Sequence, residues 1–243
     1  LLRPLGWLAA GWADLTRCPL PGLAHGAAVA VFGALLIALA GRQFWLLTGA
    51  FTGFLLVSPI IATGLYAVSR ALEQGEQPTL LDALRIWRPN DGRLIVFGLL
   101  LAFAGTGWVL TSASLVTGFA PAPVTTPLDF LKVVVLNEQS HLFEVWLAMG
   151  AFLAAPVYAS SVVAMPLLLD RKVSVLAAVL TSWRVVQAHP VPMALWAALL
   201  MGLTVLGMAT ALLGLVVVAP WLAHASWHAY RDLVSTAGLD ERG

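Results

Sequence analysis

Five stretches of this chain carry no charged side chain: residues 18–41, 43–69, 94–128, 145–169 and 185–230. That spacing constrains the fold more than any motif does. About 20 apolar residues in a helix cross about 30 Å of hydrocarbon. The first, second and fourth stretches each match one crossing. The third holds one, at 94–118, followed by the proline-rich run Ala120-Pro-Ala-Pro-Val-Thr-Thr-Pro127. The last stretch has 46 residues and as one helix would be about 69 Å long. It must fold back, and Gly214 is the expected turning point. Composition agrees: 60% of residues are hydrophobic and 10% charged, against about 25% charged in soluble domains.

These windows predict an all-α, polytopic membrane protein: one domain over 1–243, with six transmembrane helices in three hairpins. The pairs are 24–41 with 44–71, 94–118 with 142–169, and 191–212 with 215–235. Arg3, Arg17, Arg70, Arg85, Arg88, Arg93, Arg171, Lys172, Arg184, Arg231 and Arg242 fall on one side, and Arg42 and Lys132 on the other. By the positive-inside rule both termini are then cytoplasmic. The chain opens on Leu1, so further residues are expected upstream. Segments 78–88 and 173–188 show apolar residues at helical spacing and predict short interfacial amphipathic helices. A short helix is also expected over 128–136.

The hairpins resemble repeats, with units near 5–75, 78–170 and 174–235. Trp12-x6-Pro19-x-Pro21 matches Trp183-x6-Pro190-x-Pro192, and Trp87–Arg93 holds the same place in the middle copy. Gly53-Phe-Leu-Leu-Val-Ser-Pro59 matches Gly214-Leu-Val-Val-Val-Ala-Pro220, and Pro156 falls at the corresponding place in the middle copy. Pro59, Pro156 and Pro220 are expected to kink the second helix of each pair. Gly49-x3-Gly53 and Gly207-x3-Ala211 are small-residue motifs that let helices approach closely.

Net charge is +1 and there is one cysteine, Cys18. This argues against nucleic acid as a partner and excludes an intramolecular disulfide. Phosphate-binding loops, dinucleotide fingerprints and nucleophile elbows are absent from the sequence. The ionic pairs, Arg70-x2-Glu73 among them, are expected in loops. His224-Ala-Ser-Trp-His228 is the chemical candidate: an i, i+4 pair puts both imidazoles on one helix face, where they can ligate a metal or a haem. The competing expectation is a His and Trp girdle at headgroup level. His25 lies near the same predicted membrane face. His141 and Glu144 read as a solvated helix start.

Trp12-x-Asp14, Gly53–Pro59, Met165-Pro-Leu-Leu-Leu-Asp170-Arg171, Gly214–Pro220 and His224-Ala-Ser-Trp-His228-Ala-Tyr-Arg231 resemble a proteobacterial family of predicted integral membrane proteins, domain of unknown function 2189. The resemblance implies a multi-pass protein of the bacterial inner membrane and, at most, a respiratory or electron-transfer neighbourhood. Three functions are expected in turn. The first is a non-catalytic accessory subunit contacting lipid and other membrane subunits. The second is a small-molecule or lipid transporter. The third is a redox protein holding haem or metal on His224 and His228.

Overall fold

The computed structural model describes residues 2–40, 62–85 and 92–241, apart from some side chains within helices. The described residues form helices in this order: α1 (Arg3–Arg17), α2 (Pro19–Ala40), α3 (Thr63–Glu73), α4 (Leu80–Arg85) and α5 (Gly92–Phe119). A helical stretch Pro127–Asp129 runs on as a π-helical turn, Phe130–Val135. Then come α6 (Leu142–Ser161), α7 (Ala164–Asp170), α8 (Val175–Ala188), α9 (Pro190–Ala209) and α10 (Leu215–Leu233). Among the described residues, four stretches are long and apolar enough to cross a membrane: Pro19–Ala38, Gly92–Phe119, Leu142–Asp170 and Pro190–Ala209. Gly49, Gly53, Pro59, Trp87 and most of the expected span 44–71 lie outside the described residues. The expected span 215–235 is helical as α10, but its C-terminal half carries His224, His228, Arg231 and Asp232, which lower its hydropathy.

Two compact units emerge. The first combines residues 1–32, 59–97 and 158–243; the second combines 33–58 and 98–157.

In the first unit, α1 repeats buried residues at Trp7, Leu8, Gly11, Asp14 and Leu15, a helical stripe. That stripe lies on α10. Ala225 of α10 meets Gly11, where a Cβ would stand 2.5 Å from the Ala225 nitrogen. Trp7 and Trp196 pack edge to face at 5.5 Å, and Trp221 donates its indole N–H to the Leu8 carbonyl at 2.7 Å.

Two breaks share one geometry. Cys18 (φ −134°, ψ 71°) and His189 (φ −129°, ψ 54°) end α1 and α8, and each is followed by a proline that opens the next helix. Proline suits this place because its missing N–H has no intrahelical partner there. The α9–α10 turn brings a correction. Ala211 (φ 53°) and Leu212 (φ 69°) take the left-handed backbone, while Gly214 keeps an ordinary φ of −62°. Gly214 acts through closeness: its added Cβ would stand 2.9 Å from the Gly207 Cα. Gly207-x3-Ala211 is therefore no continuous helix face, since Ala211 is in the turn.

The fourth expected span is two helices. Val163 interrupts it, and its freed backbone N–H donates to the Ser182 hydroxyl at 3.2 Å. On α8, Ala178, Ser182 and Val185 are buried, while Leu176, Leu180 and Trp183 are exposed. The apolar face thus points away from the unit, as an interfacial helix would present it to lipid.

In the second unit, Trp146 is the centre. Its indole N–H donates to Ser112 at 2.7 Å, and Trp108, Phe130 and Phe143 surround it at 5.4–6.2 Å. Val124 and Val134, from the proline-rich connection, are buried with Val116 and Leu142. Asp129 fastens that connection by accepting hydrogen bonds from both the hydroxyl and the N–H of Thr125 and from the Thr126 N–H. These bonds hold its carboxyl below the usual carboxylate range. His141 and Glu144 are exposed and 3.7 Å apart, as a solvated helix start should be.

Candidate functional site: a buried polar cluster on α10

One helix supplies four polar groups of a cluster in the first unit. From α10, His224, His228, Tyr230 and Arg231 meet Asp14 of α1, Ser69 and Glu73 of α3, and Asp170 at the end of α7, which Arg70 of α3 also reaches. Arg70 and Glu73 lie on a helix, which corrects the expectation of ionic pairs confined to loops. Helical spacing turns Arg70 and Glu73 toward one side of α3.

The cluster has two halves. In the ionic half, Asp170 is the hub. It accepts a 2.6 Å hydrogen bond from the Tyr230 hydroxyl and pairs with Arg171 at 3.0 Å, Arg70 at 3.4 Å and Arg231 at 3.9 Å. Glu241 returns near the end of the chain to pair with Arg171 at 3.2 Å and Arg70 at 3.9 Å. Hydrogen bonds to its carbonyls tie the same tail down, from Lys172 N–H to Asp240 and from the Arg171 guanidinium to Leu239.

In the histidine half, Asp14 is the hub. His228 Nε2 lies 2.7 Å from its carboxylate, and His228 Nδ1 faces Glu73 at 3.9 Å. Ser69 also bonds Asp14, and the Ser69 hydroxyl lies 2.8 Å from His224 Nδ1. The two histidines of the His224–His228 motif thus converge on one carboxylate, His228 directly and His224 through a serine. Burial of Asp14 alone would raise its carboxyl; the hydrogen bonds from His228 and Ser69 and the nearby imidazoles outweigh that and hold it below the usual carboxylate range. His224 is fully buried within the first unit.

The sequence motif named the two histidines and missed Asp14 and Ser69 as their partners, because those lie 214 and 155 residues away. Asp14 carried one signal: it is a charged residue on the buried stripe of an amphipathic helix. Among the described residues no group of three or more His, Cys, Asp or Glu has the arrangement of a metal site.

A depressed Asp14 carboxyl makes a pH prediction. A group whose folded value lies below its unfolded value, about 3.9 for Asp, contributes stability at higher pH. That contribution is lost as pH falls through the folded value. Thermal melts of detergent-solubilised protein should therefore drop below about pH 4 more steeply in the wild type than in Asp14→Asn. Parallel pH profiles would show that Asp14 is not coupled to folding.

A model of predicted integral membrane proteins, DUF2189, matches residues 46–170. The chain belongs to that family. The matched range contains Ser69, Arg70, Glu73 and Asp170 and ends before His224. A search of the curated proteins and of the solved structures found no match. Family membership and the apolar helices make this a DUF2189 integral membrane protein in contact with lipid.

Proposed function

We propose that this DUF2189 protein is a non-catalytic accessory subunit of a larger complex in the bacterial inner membrane. It crosses the membrane six times, as three repeated hairpins with both termini in the cytoplasm. The observation that carries the reading is the small share covered by the chain itself in three of the four apolar stretches found among the described residues, the fourth, Leu142–Asp170, being 50% buried. The buried share is 17% for Pro190–Ala209, 22% for Gly92–Phe119 and 33% for Pro19–Ala38. Large side chains such as Phe32, Phe103, Met201 and Leu206 stand exposed on these helices, giving long faces for lipid and for neighbouring spans. The polar groups of the cluster largely satisfy one another through ion pairs and hydrogen bonds, as expected where polar chemistry holds a scaffold together. The matching breaks at Cys18–Pro19 and His189–Pro190 support the repeat, and the eleven-to-two distribution of basic residues supports the orientation.

Native mass spectrometry of the protein extracted from its own membrane in mild detergent tests the reading. Masses of co-extracted polypeptides in fixed ratio are expected. A chain that emerges with lipid alone from several gentle detergents would overturn it.

A further inference from the structure

Two buried histidines keep one ring nitrogen without a hydrogen-bond partner: His25 Nε2 and His224 Nε2. Their other nitrogens fix what those atoms are. His25 Nδ1 lies 2.8 Å from the Pro21 carbonyl. A carbonyl only accepts, so Nδ1 carries the hydrogen, and in the neutral ring Nε2 is a bare lone pair. His224 Nδ1 lies 2.8 Å from the Ser69 hydroxyl. With Ser69 donating to Asp14, that hydroxyl accepts from Nδ1–H, and His224 Nε2 is again a bare lone pair.

Two buried acceptors without a donor are costly in a protein interior. The pattern is, however, that of metal-ligating histidines. Their second nitrogen donates to a carbonyl or, through a relay, to a carboxylate, which sets the tautomer and aims the lone pair. The two rings belong to one locality. A Cβ on Gly22 would stand 3.7 Å from His224 Nε2, and His25 follows Gly22 by one turn on the same face of α2. His25 is also within electrostatic reach of His224.

We propose that His25 and His224 form a binding site for a monovalent copper ion, each giving its Nε2 lone pair. Coordination number selects the ion. Zinc takes about four protein or water ligands, and the described residues offer no group of three. Cu(I) has a filled d shell and is content with two imidazoles in line. The Asp14 carboxylate, joined to His224 through Ser69, offsets the charge that the ion brings into a buried place. His228 takes no part, because its Nε2 already faces Asp14. The proposal moves the ligand pair from His224 and His228 to His25 and His224, and it stands independently of the accessory-subunit reading.

The test loads the detergent-solubilised full chain with Cu(I) under reducing, oxygen-free conditions, in competition with a chromophoric Cu(I) chelator. X-ray absorption at the copper edge follows. The expected result is one ion per chain with a two-coordinate imidazole spectrum. His25→Gln and His224→Gln should each lose that stoichiometric binding, while His141→Gln should keep it. Ser69→Ala, a milder change, should weaken binding by about 10- to 100-fold. Three results would overturn the proposal: no binding beyond what the double variant His25→Gln/His224→Gln retains, sulfur scattering that places copper on Cys18, or a haem band in the visible spectrum of the extracted protein. The wild-type spectrum decides even if a variant fails to fold.

Discussion

Asp170→Ala is expected to cost about 3–5 kcal/mol, the range for removing one partner of a buried ion pair. The Asp170 side chain is 4% exposed, and Arg70, Arg171, Arg231 and the Tyr230 hydroxyl all address it. Alanine would leave the fully buried Tyr230 with an unsatisfied hydroxyl, itself a loss of about 1–3 kcal/mol. Arg171 and Arg70 would retain Glu241, and Arg231 would retain Glu73, so the network should loosen rather than vanish. Asp170→Asn keeps an acceptor for Tyr230 and should fall between wild type and Asp170→Ala. Glu241 is 63% exposed, and Glu241→Gln should cost under about 1 kcal/mol, as surface pairs do. Reversible unfolding in mixed micelles of increasing denaturing detergent would rank the three variants. Limited proteolysis would add a local readout, because loss of Asp170 should also free the tail at 235–241. An Asp170→Ala protein no less stable than Glu241→Gln would remove Asp170 from its place as hub.

The charge-free windows made the apolar helices legible. The amphipathic segment expected over 173–188 ends at the His189 break, whereas the span expected from 24 begins at Pro19, because proline at a helix start opens the helix earlier than the apolar run alone suggests. Residues 92–119, 142–170 and 190–209 appear close to where the windows put them. Relations between distant segments were not legible. His224 and His228 stood out as an i, i+4 pair, yet what they bind follows from α1 and α3 packing on α10, which no local pattern encodes. The same holds for Asp170. Its place at the end of an apolar run read as a loop charge, and only the return of Arg70, Arg231 and Glu241 makes it a hub. The break at Val163 was hidden because its compensation, the Ser182 hydroxyl, comes from another helix. Glycines show the limit most plainly. Gly207-x3-Ala211 fitted a packing motif and lies partly in a turn, whereas Gly22-Leu-Ala-His-Gly26 drew no notice and forms a tight approach of α2 to α10.

Gly26→Val carries the second large expected effect. A Cβ at Gly26 would run into the Val216 carbonyl and its carbon. The neighbour is backbone, so no rotamer change relieves the clash and α2 must shift as a body. Overpacking of this kind costs about 1–3 kcal/mol, occasionally more, and a backbone obstacle puts Gly26→Val at about 3 kcal/mol or above. The damage should extend beyond stability. Gly22 and His25 ride on the same turns of α2, so displacing the helix separates His25 from His224, and Cu(I) binding should weaken together with the melting temperature. Gly6→Val is the control, because nothing stands within 4 Å of a Cβ there. Gly6→Ala should be neutral or slightly stabilising, since glycine inside a helix costs roughly 0.5–1 kcal/mol relative to alanine. Thermal melts of the three variants in one detergent measure the ordering. Equal melting temperatures for Gly26→Val and Gly6→Val would mean that α2 does not approach α10 this closely, and the placement of His25 beside His224 would fall with it.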